Sequence, residues 1–477
     1  MSTQSTIVRQ TLIQLVGRTL SVAISIVSLG LMTRLLGPDQ FGVYGTAIAY
    51  LQLYAILMDF GLTIVTLDLL AKEPPKTQGN LVGAILLLRV LSSVTVIAIA
   101  LGVLYWIPYP LLTKQAIVAS ALLFVGYSFQ QIFTSVFQYA HRTLPMIIAE
   151  VIGRIVTLAA IVWAVISHAG LFAAIGAMVG GTLVTVAMMA CTSRKLVPWR
   201  LRWDPVLWLK AFRQSYPVAI TIAFNLIYFK ADTIVLSFFA SAAVVGMYVA
   251  PYKILETLIA LPPLFMGLVL PKLSQAVAAG KNQEFAQWLG WALERIALLV
   301  FPMIAGVWAL SQPIILLVAG PEFIASAPLL SILIVATGLI FFSNVLGYAV
   351  VALGRQYRMI PAYAFCAILS IFLYVKTIPI YGALGAAWTT VFIESLMLLA
   401  NAVTIFSVQK VIISFRLILN GILASLCMYV VLILVHTIIP TALLITIGIV
   451  IYSGILLALG VIKASQLRDL LFFRSPP

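Results

Sequence analysis

The chain has 477 residues, of which 63% are hydrophobic and only 9% carry a charge. Soluble domains hold roughly 25% charged residues, so this chain cannot build a water-facing surface, and a soluble enzyme is excluded. A transmembrane β-barrel is excluded too, because alternating strands and a polar lumen dilute apolar content, leaving an all-α polytopic membrane protein.

A crossing needs about 20 predominantly apolar residues. Fourteen stretches qualify, at 11–34, 42–67, 81–106, 115–138, 144–167, 171–191, 215–239, 246–270, 288–310, 325–350, 359–378, 383–406, 416–436 and 441–462. Arg18 interrupts the first apolar run, and more membrane follows directly, so it reads as a mature helix rather than a cleaved signal. With the N-terminus in the cytoplasm, nineteen of the 28 Lys and Arg fall in cytoplasmic segments. Only Arg34 and Lys114 fall in outer loops, and the rest lie within spans. This asymmetry orients a multi-pass inner or plasma membrane protein with both termini cytoplasmic. The net charge of +15 is then mostly topology, with basic loops touching anionic lipid, and nucleic acid is not needed to explain it.

The spans group into an N-terminal six-helix lobe at 1–191, a connection at 192–214, a second six-helix lobe at 215–406 and an appended helix pair at 416–462. The connection is basic and holds Trp199, Trp203 and Trp208. It reads as an interfacial segment with tryptophans at headgroup level, or as a surface for a partner.

The two lobes share a pattern. Phe41-Gly42-Val43-Tyr44 corresponds to Val245-Gly246-Met247-Tyr248, and Phe129, Gln131 and Arg142 to Phe342, Asn344 and Arg355. Gly170-Leu171-Phe172-Ala173-Ala174 corresponds to Gly382-Ala383-Leu384-Gly385-Ala386. An even number of helices per unit gives a parallel repeat about an axis along the membrane normal, a design that transporters use to rock two lobes around a cavity.

The first helix ends in Thr33-Arg34-Leu35-Leu36-Gly37-Pro38 and is followed by Phe41-Gly42-x-Tyr44, then Met58-Asp59-Phe60-Gly61-Leu62. The second half opens with Ser215-Tyr216-Pro217, Asp232 and Gly246-x-Tyr248. In these elements the chain resembles Wzx-type polysaccharide flippases of the multidrug/oligosaccharidyl-lipid/polysaccharide exporter superfamily. The resemblance implies a fold like that of the drug-extruding MATE antiporters and a polyprenyl-diphosphate-linked oligosaccharide as substrate. It also implies a polysaccharide polymerase and export proteins as partners. Many Wzx-type members have twelve helices, so fourteen leaves room for a lipid II flippase or a distinct subfamily. Gly37-Pro38 reads as a tight turn, and Gly42 and Gly246 as points of close helix contact.

Ionisable residues inside a membrane cost at least about 2.5 kcal/mol each at mid-depth, so each needs water or a partner. Glu150 and Arg154 are spaced for an intrahelical pair, as are Lys253 and Glu256, and Lys376 can snorkel from a helix end. Arg18, Arg89 and Arg154 lie at similar depth on three helices of the first lobe. A guanidinium fork matches phosphate oxygens, so these three are the expected diphosphate-binding residues, the alternative being an ion-pair network between helices. Asp59, Asp232 and Glu394 are the acids expected to couple an ion, or else to pair with nearby bases. Gln130, Gln131, Asn225 and Asn344 are expected to line a cavity.

The favoured function is therefore outward flipping of a lipid-linked oligosaccharide by alternating access, with no cofactor and no catalytic or metal site. A lipid II flippase and a cation-coupled multidrug antiporter are the alternatives within the fold, and a membrane polymerase or ligase is the alternative outside it. Enzymes of that last kind need catalytic groups in sizeable outer loops, and here those loops are short. His141, His168 and His436 stand singly, Cys191, Cys366 and Cys427 have no metal-like spacing, and no GxxxxGK[ST] phosphate loop occurs.

Overall fold

The computed structural model describes residues 3–409, 411, 413–436 and 439–461, and for residues 3–16, 56, 64 and 217–229 it describes the backbone alone. The basic residues Lys410, Lys463, Arg468 and Arg474, which the topology reading assigns to the cytoplasm, lie outside the described residues. All regular structure among the described residues is helical.

By packing, the chain forms two units, Met1–Val249 with Tyr374–Gly382, and Ala250–Leu373 with Ala383–Pro477. The first contains α1 (Thr3–Asp59), α2 (Leu62–Lys72), α3 (Gln78–Trp106), α4 (Leu111–Tyr139), α5 (Leu144–Ile166), α6 (Leu171–Leu196), α7 (Pro205–Phe239) and the start of α8 (Ala242–Ile259). The second contains the rest of α8, α9 (Leu261–Ala278), α10 (Asn282–Val318), α11 (Ala327–Ala352), most of α12 (Ile360–Phe406), α13 (Phe415–Val435) and α14 (Thr441–Ala458). Single 3-10 turns at Pro321–Ser326 and Gln356–Met359 lead into α11 and α12.

Two of these helices are hairpins drawn as one. In α1 the backbone leaves helical geometry at Gly37 (φ 61°, ψ 178°), ahead of Pro38. Only a residue without Cβ enters that region freely, and the proline that follows cannot donate to the preceding turn. Side-chain contacts give the direction of each arm. Gly17 meets Ile147 near the start of α5. Gln40 accepts from the backbone N–H of Leu171 at the start of α6. Tyr50 donates to Ala100 O, and the Gln78 amide lies against Tyr139 and Leu70 O. The chain thus crosses from one end of the unit to the other between residues 17 and 40 and returns by residue 70.

In α12 the break is Gly382 (φ 58°, ψ −136°), and Thr404 Oγ1 reaches Met359 Sδ at 3.3 Å, so the two arms run antiparallel. Eleven described segments are long and apolar enough to cross a membrane, and the two fold-backs divide Gly17–Asp59 and Gln356–Phe406 into two crossings each. Among the described residues, α7 is a further helix of spanning length, 35 residues long.

Several boundaries differ from the sequence reading. The 192–214 connection is largely helical. α6 runs on to Leu196, and α7 starts at Pro205, where Asp204 accepts from the Leu207 N–H at 3.0 Å. An Asp N-cap followed by proline at the first helical position is a strong start signal, and it outweighs the polar composition. By packing, α7 goes with the first unit: Trp208 Nε1 donates to Ala84 O, and Tyr109 and Ser237 hydroxyls bond at 2.7 Å. The expected span at 246–270 is divided at Ala260, where Pro262 and Pro263 start α9. The expected span at 288–310 extends to Val318 but kinks at Leu310, three residues before Pro313. The span at 42–67 breaks at Phe60 and Gly61.

Gly42 and Gly246, each expected at a close helix contact, make that contact with one another's segments. A Cβ on Gly42 would run into the backbone of Ala242, and one on Gly246 into Pro38 O. The equivalent positions of the two repeats therefore touch backbone to backbone, the close approach that small residues permit in lipid. The core of the first unit gathers Leu81, Val82 and Ile85 of α3, and Ile132, Phe133 and Phe137 of α4, around Leu69 and Leu70 of α2. In the second unit the appended pair packs on α10, with Met428 and Leu432 of α13, Leu444 and Tyr452 of α14, and Leu298 and Leu310. Tyr452 fixes that contact by donating to Leu298 O at 2.7 Å.

Candidate functional site

The second crossing is discontinuous. α1 ends at Asp59, Phe60 and Gly61 take left-handed φ values of 45° and 74°, and α2 starts at Leu62. Broken backbone inside a bilayer must find new hydrogen-bond partners. Asp59 supplies one, accepting from the Gly61 N–H at 3.2 Å, and it accepts from the Thr63 hydroxyl as well. Arg89 of α3 supplies another: Nη1 donates to Met58 O at 2.6 Å, while Nη2 donates to Asp59 Oδ1 at 2.6 Å and to Thr63 Oγ1 at 3.3 Å. The Arg89 side chain is 0% exposed and that of Asp59 18% exposed.

This pairing changes the reading of two expected site residues. The sequence places Arg89 among the diphosphate-binding arginines and Asp59 among the ion-coupling acids. The structure ties them to each other. The remaining Arg89 Nε is buried without a hydrogen bond among the described residues. A buried guanidinium without its counter-charge carries a penalty of several kcal/mol, which is why the pair closes.

Arg18 and Arg154 behave differently. Both are exposed, on α1 and α5, and both act on the charge of Glu150, beside which lies the Gln130 amide of α4. The contact of Gly17 with Ile147 sets Arg18 near the first turns of α5, and Arg154 follows Glu150 by one helical turn. The charges of both guanidiniums thus bear on one carboxylate, and the three groups together are net positive. Gln131, one residue along, is exposed.

Asp232 is buried in the first unit, where Tyr248 donates to Oδ2 at 2.7 Å and the Thr233 backbone N–H and hydroxyl donate to Oδ1. Tyr248 belongs to the repeated Gly-x-Tyr element, and its hydroxyl ties α8 to α7, which is what the motif does in this half of the chain. In the second unit Glu394 is 2% exposed and close enough for its charge to act on Tyr363 and Cys366 of the facing arm of α12. Lys253 and Glu256 pair at 2.8 Å as their spacing predicts. Asn344 donates to Ile340 O of its own helix, and the side chain of Asn225 lies outside the described residues.

Sequence reasoning missed the helix break, although Asp59-Phe60-Gly61 carries its signal. An Asp that can accept from the N–H two residues on, followed by a Gly, is turn chemistry placed inside an apolar run.

The sequence profile of the family described as polysaccharide biosynthesis protein matches residues 7–277, more than half of the chain. The chain belongs to this family. It is thereby a member of the multidrug/oligosaccharidyl-lipid/polysaccharide exporter superfamily, whose fold it has. The chain is similar to the lipid II flippase MurJ in an inward closed conformation, with 14% identity, a TM-score of 0.75, and 97% of this chain and 99% of that one covered. It is similar to an inward-facing multidrug resistance MATE family transporter, with 15% identity, a TM-score of 0.65 and coverage of 90% and 98%. A superfamily transporter from Pyrococcus furiosus, characterised by a binding pocket of reverse polarity, matches at 12% identity and a TM-score of 0.55, with coverage of 90% and 96%. Comparison with curated protein sequences finds no match. The family member is a multi-pass membrane protein of a transporter superfamily.

Proposed function

We propose that the chain flips a polyprenyl-diphosphate-linked oligosaccharide from the inner to the outer leaflet by alternating access, as a transporter rather than an enzyme. The observation that carries this reading is the exposed pair Arg18 and Arg154 around Glu150. Guanidinium forks bind phosphate oxygens bidentately, and the net positive charge left after Glu150 suits a diphosphate. Membership of a polysaccharide biosynthesis family supports a sugar-bearing cargo. The lipid tail stays in the bilayer while the diphosphate and sugars cross. With the cytoplasm negative, outward movement of an anion is favoured by about 2.3 kcal/mol per charge per 100 mV.

In this reading Arg18 and Arg154 hold the diphosphate, and Arg89 with Asp59 keeps the broken helix in shape. Glu394 is the acid we assign to any ion coupling, since Asp59 and Asp232 are held by Arg89 and Tyr248. Both termini are assigned to the cytoplasm, and a polymerase and export proteins are the partners that would take up the flipped product.

Lipid II is the second reading, because its flippase matches nearly the whole chain. It presents the same diphosphate and differs in the sugar. A cation-coupled drug antiporter is disfavoured, because a cationic cluster repels cationic drugs.

The test is export of a fluorescent polyprenyl-diphosphate oligosaccharide from vesicles holding equal amounts of each variant. Arg18→Ala and Arg154→Ala should abolish it, and the lysine variants should keep part of it, since the charge stays while the fork is lost. Normal export by both alanine variants would overturn the proposal. Export of lipid II alone would decide for the second reading.

A further inference from the structure

The segment joining α6 to α7 is a cationic ledge fixed to the body of the first unit. Trp199 donates to Ser193 Oγ at 3.2 Å and packs on Phe133, and the Arg194 guanidinium lies over its ring at 5.3 Å. The backbone around Arg200 presses on α3 so closely that a Cβ on Gly83 would meet Arg200 O. Trp208 donates to Ala84 O, and Phe212 stacks on Phe60 at 4.6 Å with the rings 8° from parallel.

What the ledge exposes is of two kinds. Arg194, Lys195, Arg200, Arg202, Lys210 and Arg213 are all exposed. The one acid among them, Asp204, is engaged as the cap of α7. Beside the charges stand Trp203 (65% exposed), Val206 (81%), Leu209 and Phe212 (53%). The last three recur every third residue and so share one face of α7, while Ala211 and Ser215 turn inward. Basic side chains next to an exposed apolar stripe and a tryptophan are the combination that lies in a bilayer interface, apolar face in the acyl boundary and charges among headgroups. Six cations with one engaged acid are complementary to negative headgroups and to no neutral one.

We propose that residues 194–213 form a binding site for the phosphate headgroups of anionic phospholipids at the basic end of the first unit, separate from the Arg18 and Arg154 cluster.

The test uses the full chain, immobilised in detergent micelles and offered fluorescent phosphatidylglycerol or phosphatidylcholine with the same acyl chains. The expected result is at least about tenfold preferential retention of phosphatidylglycerol, with roughly a fivefold loss of affinity for each basic residue removed. The combined variant Arg200→Gln, Arg202→Gln, Lys210→Gln and Arg213→Gln should abolish the preference. Raising NaCl from about 0.05 to about 0.5 M should weaken it in the wild-type chain, which keeps the proposal testable if the variant does not fold. The variant Arg18→Gln with Arg154→Gln should keep the preference. Equal retention of the two lipids, a preference indifferent to salt, or its loss in the Arg18 and Arg154 variant would each overturn the proposal.

Discussion

Arg89 reaches from α3 to hold Asp59 at 2.6 Å, and the same guanidinium caps the carbonyl of Met58 that the helix break sets free. The two residues form one device, an ion pair that allows left-handed backbone at Phe60 and Gly61 within a crossing. Truncating one partner of a buried pair leaves the other charge uncompensated, at a cost of about 3–5 kcal/mol. Arg89→Ala and Asp59→Asn should therefore each lower thermal stability strongly in detergent. Arg89→Gln combined with Asp59→Asn should lose less than the sum, because no charge is stranded. Additive losses, measured by size-exclusion thermal unfolding, would show that the two do not act as a pair.

Glu150 offsets part of the charge of Arg18 and Arg154, so Glu150→Gln should raise the net positive charge that a ligand meets. Binding of a soluble short-chain diphosphate lipid should tighten severalfold. Stability should fall slightly, because the attraction of one carboxylate for two cations is lost. Weaker binding in a calorimetric titration would mean that the carboxylate is needed to align the arginines.

The backbone contact at Gly42 and Gly246 leaves no room for a methyl group, since the atoms met are backbone and cannot swing aside. Gly42→Ala should destabilise by about 1–3 kcal/mol, the usual cost of overpacking. Gly176→Ala, where nothing lies within 4 Å, should be silent and serves as the control. Equal unfolding temperatures for the two variants would contradict the contact.

Topology can be read with cysteines placed on exposed end residues. Leu111→Cys and Glu322→Cys are the outer probes and Gln283→Cys the inner one, since all three positions are exposed. The first two should react with a membrane-impermeant maleimide in intact cells, and Gln283→Cys only after permeabilisation. The reverse pattern would invert the assigned orientation while leaving the crossing number intact.

The all-helical membrane fold, the appended pair and the transporter superfamily were legible in the sequence because hydropathy and short turn motifs are local quantities. A window of twenty residues contains the free energy of insertion whatever the neighbouring helices do. The turn at Gly37-Pro38 and the pair Lys253–Glu256 were legible for the same reason, since one stretch of chain holds both partners.

The pairing of charges was decided by tertiary structure. Arg89 and Asp59 are 30 residues apart, and Tyr248 and Asp232 16 apart on different helices. Which ionisable groups meet depends on how each helix is rotated about its axis and how far it slides along its neighbour. In lipid, where apolar faces gain little by choosing one partner over another, that rotation is set by packing and hydrogen bonds rather than by hydropathy. Three arginines at similar depth looked equivalent along the chain. At the break at Phe60 and Gly61 one of them is buried against a backbone carbonyl and a carboxylate, whereas Arg18 and Arg154 are exposed.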